Sequence, residues 1–382
     1  MAVFEPNIVY NRLMLYNWQQ NDWPDFRYAL GDLQEKLQEF KQRSGRITGI
    51  IDVLPDTTRQ ETLLDILVLE AIKNSEIEGE FISRRDVASS IRHNLGFANP
   101  DKITDQNAAG MAELTLEVRE NFSKTLDEAM FFQWHRMIFP KEKRIQIGQW
   151  RTHSEAMQII SGPIGREKIH FQAPPSRDVP KLMHDFILWF RQTAPQGSKP
   201  IEQAAIRAGI AHLYFESIHP FEDGNGRIGR ALAEKALFQT LQMPLLISLS
   251  ASIRDHRKAY YQALKDAQRH NEITAWLDYF LDMLIAAQVK SEDYIRFTLK
   301  KAQFFDAYKT TLNERQLKVI RRMLKEGPEG FQGGMTAKKY MAITQTSKAT
   351  ATRDLQNLND QGVFKMIGGG RNTAYQLTML CA

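Results

Sequence analysis

The chain has 382 residues, of which 43% are hydrophobic and 25% charged, as in an ordinary globular protein with apolar cores. Its formal charge of +5 is too small to identify a class of partner, and its single cysteine, Cys381, excludes an intramolecular disulfide. The most apolar runs, 243–253 and 279–289, are shorter than the roughly 20 residues of a membrane-spanning helix, and residues 1–16 show no secretory signal. We therefore expect a soluble, cytoplasmic protein without a membrane partner.

Apolar residues recur at three- and four-residue steps along most of the chain, which predicts amphipathic helices. One of them, Asp178–Arg191, follows the breaker Pro174-Pro175 and carries Leu182, Phe186 and Trp189 on one side. Repeated helices of this kind favour an α-helical bundle, so the expected fold class is mainly α. The same period marks residues 63–72, 206–213 and 277–284.

One segment within the helical body predicts a β-hairpin. Met157–Ile160 and Lys168–Phe171 are short apolar-rich runs on either side of a turn that begins with Ser161-Gly162-Pro163-Ile164-Gly165. A lone hairpin is marginally stable in water, so we expect it to lie on the helical body with at least one edge open.

The pattern changes again after about residue 305. A helix, a helix-turn-helix and a β-hairpin wing, in that order, are the elements of a winged-helix domain. The predicted elements are a helix over Leu312–Glu326, a short helix from a Thr336 cap through Ala342, a longer helix from a Ser347 cap to about Gln361, and the strands Val363–Ile367 and Arg371–Leu377 around a glycine turn.

The residues that carry chemistry are concentrated in the stretch HPFEDGNGRIGR, from His219 to Arg230. Pro220 ends the preceding helix, and the glycine turn at 223–226 leads directly into a new helix, whose free N–H groups and dipole favour an anion. Arg227 and Arg230 would place two guanidiniums beside these amides, which makes a cradle for a polyphosphate.

Two further side chains of this stretch supply reactivity. Asp223 offers a carboxylate that would hold Mg²⁺ against the phosphates, because Mg²⁺ prefers one or two carboxylates plus phosphate oxygens. His219 offers an imidazole, the usual base for a hydroxyl proton near pH 7. Together these groups predict a phosphoryl- or nucleotidyl-transfer site.

Each feature alone has a plainer structural interpretation. A His-Pro pair usually ends a helix, Gly-Asn-Gly usually forms a turn, and an aspartate before a helix usually caps it. A zinc site formed by His212 and His219 is a further alternative, but their spacing is not that of His-Glu-x-x-His, and we expect His212 to be a packed helix residue.

The stretch 219–230 resembles, position by position, the Fic motif His-x-Phe-x-[Asp/Glu]-Gly-Asn-Gly-Arg-x-x-Arg. The resemblance extends over roughly residues 105–290, and the N-terminal region and the C-terminal domain are similar to those of bacterial Fic proteins. It implies a Fic-type helical bundle with a β-hairpin flap, plus a C-terminal winged helix. The domains implied are 1–104, a helical region with an inhibitory motif; 105–304, the Fic catalytic domain; and 305–382, the winged helix-turn-helix domain.

The resemblance implies a protein adenylyltransferase that uses ATP and Mg²⁺ to transfer AMP to a Ser, Thr or Tyr hydroxyl of a protein target. Gly226, which the related Doc kinases lack, favours AMP transfer over phosphate transfer. The implied roles are His219 as base, Asp223 as Mg²⁺ ligand, Gly224, Asn225 and Gly226 as anion hole, Arg227 on the β-phosphate and Arg230 on the γ-phosphate.

The resemblance also gives roles to the hairpin and to two aromatic residues. In relatives the hairpin is a flap that binds the protein substrate by strand addition, which needs the open edge expected above. Tyr260 and Tyr261 are similar to family aromatics near the adenine of ATP. The alternative for both is packing on an amphipathic helix.

The segment 74–80 resembles the inhibitory motif of the family, [Ser/Thr]-x-x-x-Glu-[Gly/Asn]. Glu78 and Gly79 match, whereas Asn74 stands at the Ser/Thr position, where it either weakens the anchoring of the glutamate or replaces the hydroxyl as a hydrogen-bond partner. The resemblance implies that Glu78 pairs with Arg230 and prevents productive binding of the γ-phosphate. The alternative is a solvated charge cluster of Glu76, Glu78 and Glu80.

Positive charge is concentrated at the C-terminus, where residues 312–377 contain 11 Lys and Arg against 5 Asp and Glu. The expected recognition helix and wing carry Lys348, Arg353, Lys365 and Arg371, where contacts to DNA phosphates would lie. Protein contacts or homodimer packing are the alternative use of this domain. The rival functions are therefore a DNA-binding transcriptional regulator with a nucleotide-sensing Fic domain, and removal of AMP from a target.

Overall fold

The computed structural model describes residues 15–96, 102–142, 144–163, 166, 168–328 and 330–380, apart from the side chains of Ser161 and Arg371. The described chain is mostly helical and has two separate antiparallel strand pairs, which confirms the predicted mainly α class. The helices are α1 (Gln34–Asp52), α2 (Asp56–Ile77), α3 (Arg84–Asn94), α4 (Gln106–Glu120), α5 (Glu128–Ile138), α6 (Val179–Gln192), α7 (Ala204–Ile218), α8 (Asn225–Leu241), α9 (Leu249–Asp255), α10 (Arg257–Ala267), α11 (Thr274–Tyr308), α12 (Glu314–Leu324), α13 (Ala337–Thr344) and α14 (Lys348–Asp360), and the strands are β1 (Gln158–Ser161), β2 (Lys168–Gln172), β3 (Phe364–Ile367) and β4 (Ala374–Leu377).

The chain divides into two compact units. Over their described residues, the first consists of Met1–Thr48 and Leu67–Gln288, and the second of Gly49–Ile66 and Val289–Ala382. The predicted domain limits follow motifs rather than these units and stay predictions. None of the helices in the described ranges combines the length and the apolar character that crossing a bilayer requires.

The core of the first unit is built around α7 and α8. Every residue of α7 is buried, and α8 is buried at nearly every position. Many residues of both helices are apolar or small, and such residues can be enclosed on all sides. Gly209 shows why small residues are needed, because a Cβ there would lie 2.8 Å from Cδ2 of Leu277 on α11. The two central helices are therefore packed on all sides. The end of α7 and the start of α8, which flank the turn between them, are fixed in the same way.

The buried face of α6 differs from the predicted one. Phe186 is fully buried as expected, but Leu182 and Trp189 are only half-buried. The helix begins at Val179, and its buried side is formed by Val179, Met183, Phe186 and Phe190 instead.

The β-hairpin predicted from the sequence is present. β1 pairs with β2 in antiparallel register, with a bulge between Ile159 and Ile160. The turn residues Ile164 and Gly165 lie outside the described residues. The outer edges of the pair carry no further strand in the described chain, and Ile159, Ile160 and Ile169 are exposed.

The second unit contains the C-terminal elements that the sequence predicts. Thr336 and Ser347 cap α13 and α14 by accepting hydrogen bonds from backbone N–H groups, as expected. β4 begins at Ala374 rather than at residue 371, because Gly370–Asn372 form a 3₁₀ turn. The winged-helix assignment itself stays a prediction, and Cys381 lies outside the described residues. The core that joins these elements includes Val319, Ile320, Tyr340, Leu355, Leu358, Phe364 and Leu377.

Candidate active site

His219 lies at the C-terminal end of α7 in a left-handed backbone conformation, with φ 51° and ψ 61°. This conformation is uncommon for a residue with a side chain and must be held by its surroundings. The N–H of His219 donates to the carbonyl of Phe215 at 2.9 Å, and its own carbonyl accepts from Nε of Arg151 at 2.8 Å. The backbone that carries the imidazole is therefore fixed at the start of the turn.

Arg151 stabilises this turn by hydrogen bonds, a role that the sequence did not predict. Its guanidinium is buried and donates to the carbonyls of His219 and Pro174 and to the hydroxyl of Ser176, at 2.6 to 2.8 Å. Its backbone N–H donates to the carbonyl of Pro220 at 2.9 Å. Burial lowers the pKa of Arg151 to about 10, so the group stays charged at neutral pH. A single arginine in a loop gives no sequence signal for this role.

The turn itself closes through Gly224 and Asn225. Gly224 has φ 83°, and a Cβ there would lie 2.6 Å from Ile138 and 2.8 Å from Phe139. The side chain of Asn225 accepts from the N–H of Phe221 at 2.9 Å and donates to the carbonyl of Phe221 at 2.8 Å. α8 begins at Asn225, so its first N–H groups have no partner within the helix and form an anion site.

Asp223 presents its carboxylate at the rim of the turn. The side chain is 61% exposed and lies 3.8 Å from Nη2 of Arg227. Its backbone carbonyl contacts Nε2 of His135, whose pKa burial lowers to about 4, so that this imidazole is neutral. No group of three metal-ligating side chains occurs among the described residues. An exposed lone carboxylate fits Mg²⁺, which takes its remaining oxygens from phosphate and water.

Arg230 is enclosed by two residues of the predicted inhibitory segment. It is 1% exposed, and its Nη2 lies 2.8 Å from Oε1 of Glu78. Its Nε donates to Oδ1 of Asn74 at 2.7 Å, so Asn74 binds the arginine rather than the glutamate. A Cβ at Gly226 would lie 2.2 Å from Oε1 of Glu78, which shows how closely this carboxylate covers the start of α8.

Arg227 is held in the same way by a residue that the sequence did not single out. It is also 1% exposed, its Nη1 donates to Oε2 of Glu80 at 2.6 Å, and its guanidinium lies over the ring of Phe139 at 4.5 Å. Glu80 stands two residues after Glu78, and the sequence included it only in the alternative of a solvated charge cluster. Both carboxylates therefore contact the predicted phosphate cradle instead of solvent alone.

The two tyrosines are placed differently. Tyr260 is buried, and its hydroxyl lies 2.7 Å from Nε2 of His212, which confirms His212 as a packed helix residue. Tyr261 is partly exposed, and its hydroxyl donates to Oε2 of Glu78 at 3.3 Å. Burial raises the pKa of Tyr261 to about 12, so this hydroxyl keeps its proton. Tyr261 thus borders the site, and a role near the adenine stays a prediction for both.

Residues 125–237, which include the whole stretch from His219 to Arg230, match the family model described as the Fic/DOC family. The match supports the Fic family for this part of the chain. Residues 16–97, which include Glu78, match a domain of unknown function, DUF4172.

Several similar proteins carry related names. A protein adenylyltransferase Fic from Nematostella vectensis is 22% identical over 289 residues, which cover 72% of this chain and 61% of that protein. A probable protein adenylyltransferase from Aquifex aeolicus is 35% identical over 98 residues, 26% of this chain and 27% of that protein. The chain thus spans less than two thirds of either relative.

Two solved structures share the fold at low identity. A Fic family protein from Desulfovibrio desulfuricans has a TM-score of 0.51 at 19% identity, covering 90% of this chain and 96% of that one. A Fic-domain signaling protein from Bacteroides thetaiotaomicron has a TM-score of 0.50 at 14% identity, covering 70% of this chain and 97% of that one. At such identities the likeness shows a Fic-like fold alone.

Replacing Arg151 by alanine is expected to lower the free energy of unfolding by roughly 3 kcal/mol, because several buried acceptors lose their donor. Urea unfolding measures the change. Arg177→Ala removes an arginine whose side chain is 85% exposed and should stay within about 0.5 kcal/mol of the parent. Equal effects of the two substitutions would contradict the role given to Arg151.

Proposed function

We propose that this chain is a protein adenylyltransferase that transfers AMP from ATP, with Mg²⁺, to a Ser, Thr or Tyr hydroxyl of a protein target. The supporting observation is the pair of buried guanidiniums beside the amide-rich start of α8. Nε of Arg227 and Nη1 of Arg230 have no hydrogen-bond partner among the described residues. A buried unpaired N–H is costly, and phosphate oxygens are the acceptors that would offset this cost. The names of the relatives point the same way.

In this proposal the residues of the turn divide the work of the reaction. His219 accepts the proton of the target hydroxyl, whose oxygen bonds to the α-phosphorus while the bond to the β-phosphate breaks and pyrophosphate leaves. The first N–H groups of α8 hold the α-phosphate, and Arg227 and Arg230 hold the β- and γ-phosphates. Asp223 would hold Mg²⁺, which neutralises phosphate charge. The side chain of Asn225 is hydrogen-bonded to both the N–H and the carbonyl of Phe221, so Asn225 acts mainly by fixing the turn.

The hairpin is the proposed binding edge for the protein target. An extended segment of the target would add as a strand to the outer edge of β1 or β2. The exposed side chains of Ile159, Ile160 and Ile169 would then contact alternate side chains of that segment. Main-chain pairing positions a hydroxyl without requiring one particular sequence around it.

We further propose that Glu78 and Glu80 together inhibit the enzyme. A hydrogen bond between charged groups contributes roughly 1.5–3 kcal/mol, less where one partner is exposed. Shifting the equilibrium between open and closed sites from 1:99 to 99:1 needs about 5.5 kcal/mol. One such contact does not supply this free energy, whereas two contacts together come close to it. Both contacts must open before a triphosphate reaches Arg227 and Arg230.

The test of the reaction is transfer of label from ATP carrying ³²P at either the α- or the γ-phosphate, with Glu78→Gly as the parent. Label should reach protein only from the α-position, and His219→Ala should abolish transfer because the base is lost. His184→Ala, an exposed histidine on α6, is the matched control and should transfer normally. Transfer from the γ-position would indicate phosphate transfer instead. Loss of AMP from a premodified target without transfer from ATP would favour the reverse reaction.

Removal of the inhibitory carboxylates should increase transfer. Glu78→Gly is expected to raise the initial rate about 10-fold to 100-fold, since one charged hydrogen bond is lost. Glu80→Gly should raise it less, because the Glu80 side chain is 38% exposed against 29% for Glu78. Glu76→Gly is the control, since Glu76 pairs with Lys73. A double variant no faster than Glu76→Gly would rule out inhibition by these contacts.

A second function, DNA binding by the C-terminal elements, is favoured by the exposed face of α14. Lys348 and Arg353 are exposed on this face together with Thr352 and Gln356. The acidic Asp354 is turned inward, where Arg315 and Tyr340 bind its carboxylate at 2.9 Å. The N-terminal half of α14 therefore presents positive and polar groups, as phosphate contacts require.

Gel retardation of duplex DNA tests this second function. Binding should weaken with salt, and Lys348→Ala or Arg353→Ala should each reduce the slope of log affinity against log salt by about 1. Lys309→Ala, which removes an exposed lysine paired with Asp306, should leave the slope unchanged. His219→Ala should bind DNA normally. Absence of retardation at low salt would favour the protein-contact alternative.

A further inference from the structure

Glu216 is a buried carboxylate one helical turn before His219 that the roles above do not use. Its side chain is almost wholly buried, and its Oε2 lies 3.5 Å from Nδ1 of His219, an ion-pair distance slightly beyond a normal hydrogen bond. Neither Oε1 of Glu216 nor Nδ1 of His219 has another hydrogen-bond partner among the described residues. A buried carboxylate oxygen without a donor is costly, so its position needs an explanation other than packing.

The location of Glu216 is also unfavourable for the stability of the helix. It lies in the last turn of α7, which ends at Ile218. The helix dipole places partial negative charge at this end, so a carboxylate here is repelled. A glutamine or an alanine would satisfy the helix better, which again indicates a role outside folding.

We infer that Glu216 is a positioning residue for His219 in the proposed transfer reaction, and this inference rests on that proposed function. A carboxylate facing Nδ1 favours the tautomer whose proton is on Nδ1. Nε2 then carries the free electron pair and faces the incoming hydroxyl. When Nε2 accepts the hydroxyl proton, the adjacent carboxylate stabilises the imidazolium that forms.

The other titratable groups near Glu216 have partners of their own and do not compete with His219 for its carboxylate. His212 lies one turn earlier on α7, and burial lowers its pKa, so that ring is neutral and bonded to Tyr260 on α10. Arg230 on α8 is engaged by Glu78 and Asn74. Burial raises the pKa of Glu216, but contact with His219 and the charge of Arg230 lower it overall, so the carboxylate is ionised.

Gly229, near the start of α8, makes room for this carboxylate. A Cβ at Gly229 would lie 2.4 Å from Oε1 of Glu216 and 3.2 Å from the ring of His212. Any larger residue would therefore push Glu216 away from its place beside His219. Gly229 lies within α8, so its backbone does not need a left-handed conformation. What the glycine provides is space for the side chain of Glu216.

The first experiment is kinetic and uses Glu78→Gly as the parent. Glu216→Gln should lower kcat for AMP transfer about 10-fold to 100-fold and leave KM for ATP within about twofold, because the phosphate-binding groups are untouched. Glu216→Asp should recover part of the rate.

A matched control separates this effect from loss of any buried acid. Glu234→Gln removes a buried carboxyl group of α8 that has no contact with His219, and it should keep the kcat of the parent. Thermal unfolding should show Glu216→Gln as stable as the parent or more so, given its place in the helix dipole. An unchanged kcat in Glu216→Gln would overturn the inference.

The second experiment does not depend on transfer activity. Two-bond ¹H–¹⁵N spectra of histidine-labelled protein, with the His219 signals assigned by their loss in His219→Ala, report which ring nitrogen carries the proton. The Nδ1–H tautomer should dominate in the parent and lose its dominance in Glu216→Ala. An unchanged tautomer would overturn the inference even if the enzyme is active. A Glu216-dependent tautomer in a protein that transfers no label would support the positioning role and reject the transfer reaction.

Discussion

The candidate site depends on the packing of α7 against α8, two helices whose side chains are buried over almost their whole length. Since neither helix can move without opening the core, the chain must reverse direction within the few residues between Ile218 and Asn225. That short distance forces left-handed conformations on His219 and Gly224 and requires Arg151 to satisfy the carbonyl groups that the turn exposes inside the protein. The same reversal brings an imidazole, a helix N-terminus and two guanidiniums together.

Burial of Arg227 and Arg230 creates a charge that must be compensated. In the interior an unpaired guanidinium is costly, and electrostatic attraction is stronger than in water. Glu78 and Glu80 supply this compensation in the structure, and a triphosphate would supply it in their place. The proposed inhibition and the proposed binding of ATP would therefore meet one electrostatic requirement in two ways, since Glu78 and Glu80 contact the guanidiniums that phosphates would contact.

The sequence predicted the features that arise from neighbouring residues. The turn of the motif, the end of α7, and the caps Thr336 and Ser347 all depend on local chemistry. The end of α13 was predicted two residues early, at Ala342 instead of Thr344. The sequence missed Arg151 and the contact of Glu80 with Arg227, because the latter pair is 147 residues apart and no spacing rule links them. It also left two roles open for Asn74, whose partner proved to be Arg230. The buried face of α6 was shifted because helical period fixes which residues share a side, whereas the neighbouring helices decide which side is covered.

The position of Glu78 and Glu80 determines which segment would have to move to free Arg227 and Arg230. α2 ends at Ile77, and Gly79 has φ 86°, so Glu78 and Glu80 stand on the irregular segment after the helix. Glu70, two turns before Glu78, is bound by Ser248 and by the backbone of Ser250, which fixes the end of α2 beside the core. Opening of the proposed inhibitory contacts would therefore involve the few residues that follow Ile77. Asn74 lies within α2, so its hydrogen bond with Arg230 would not depend on that movement.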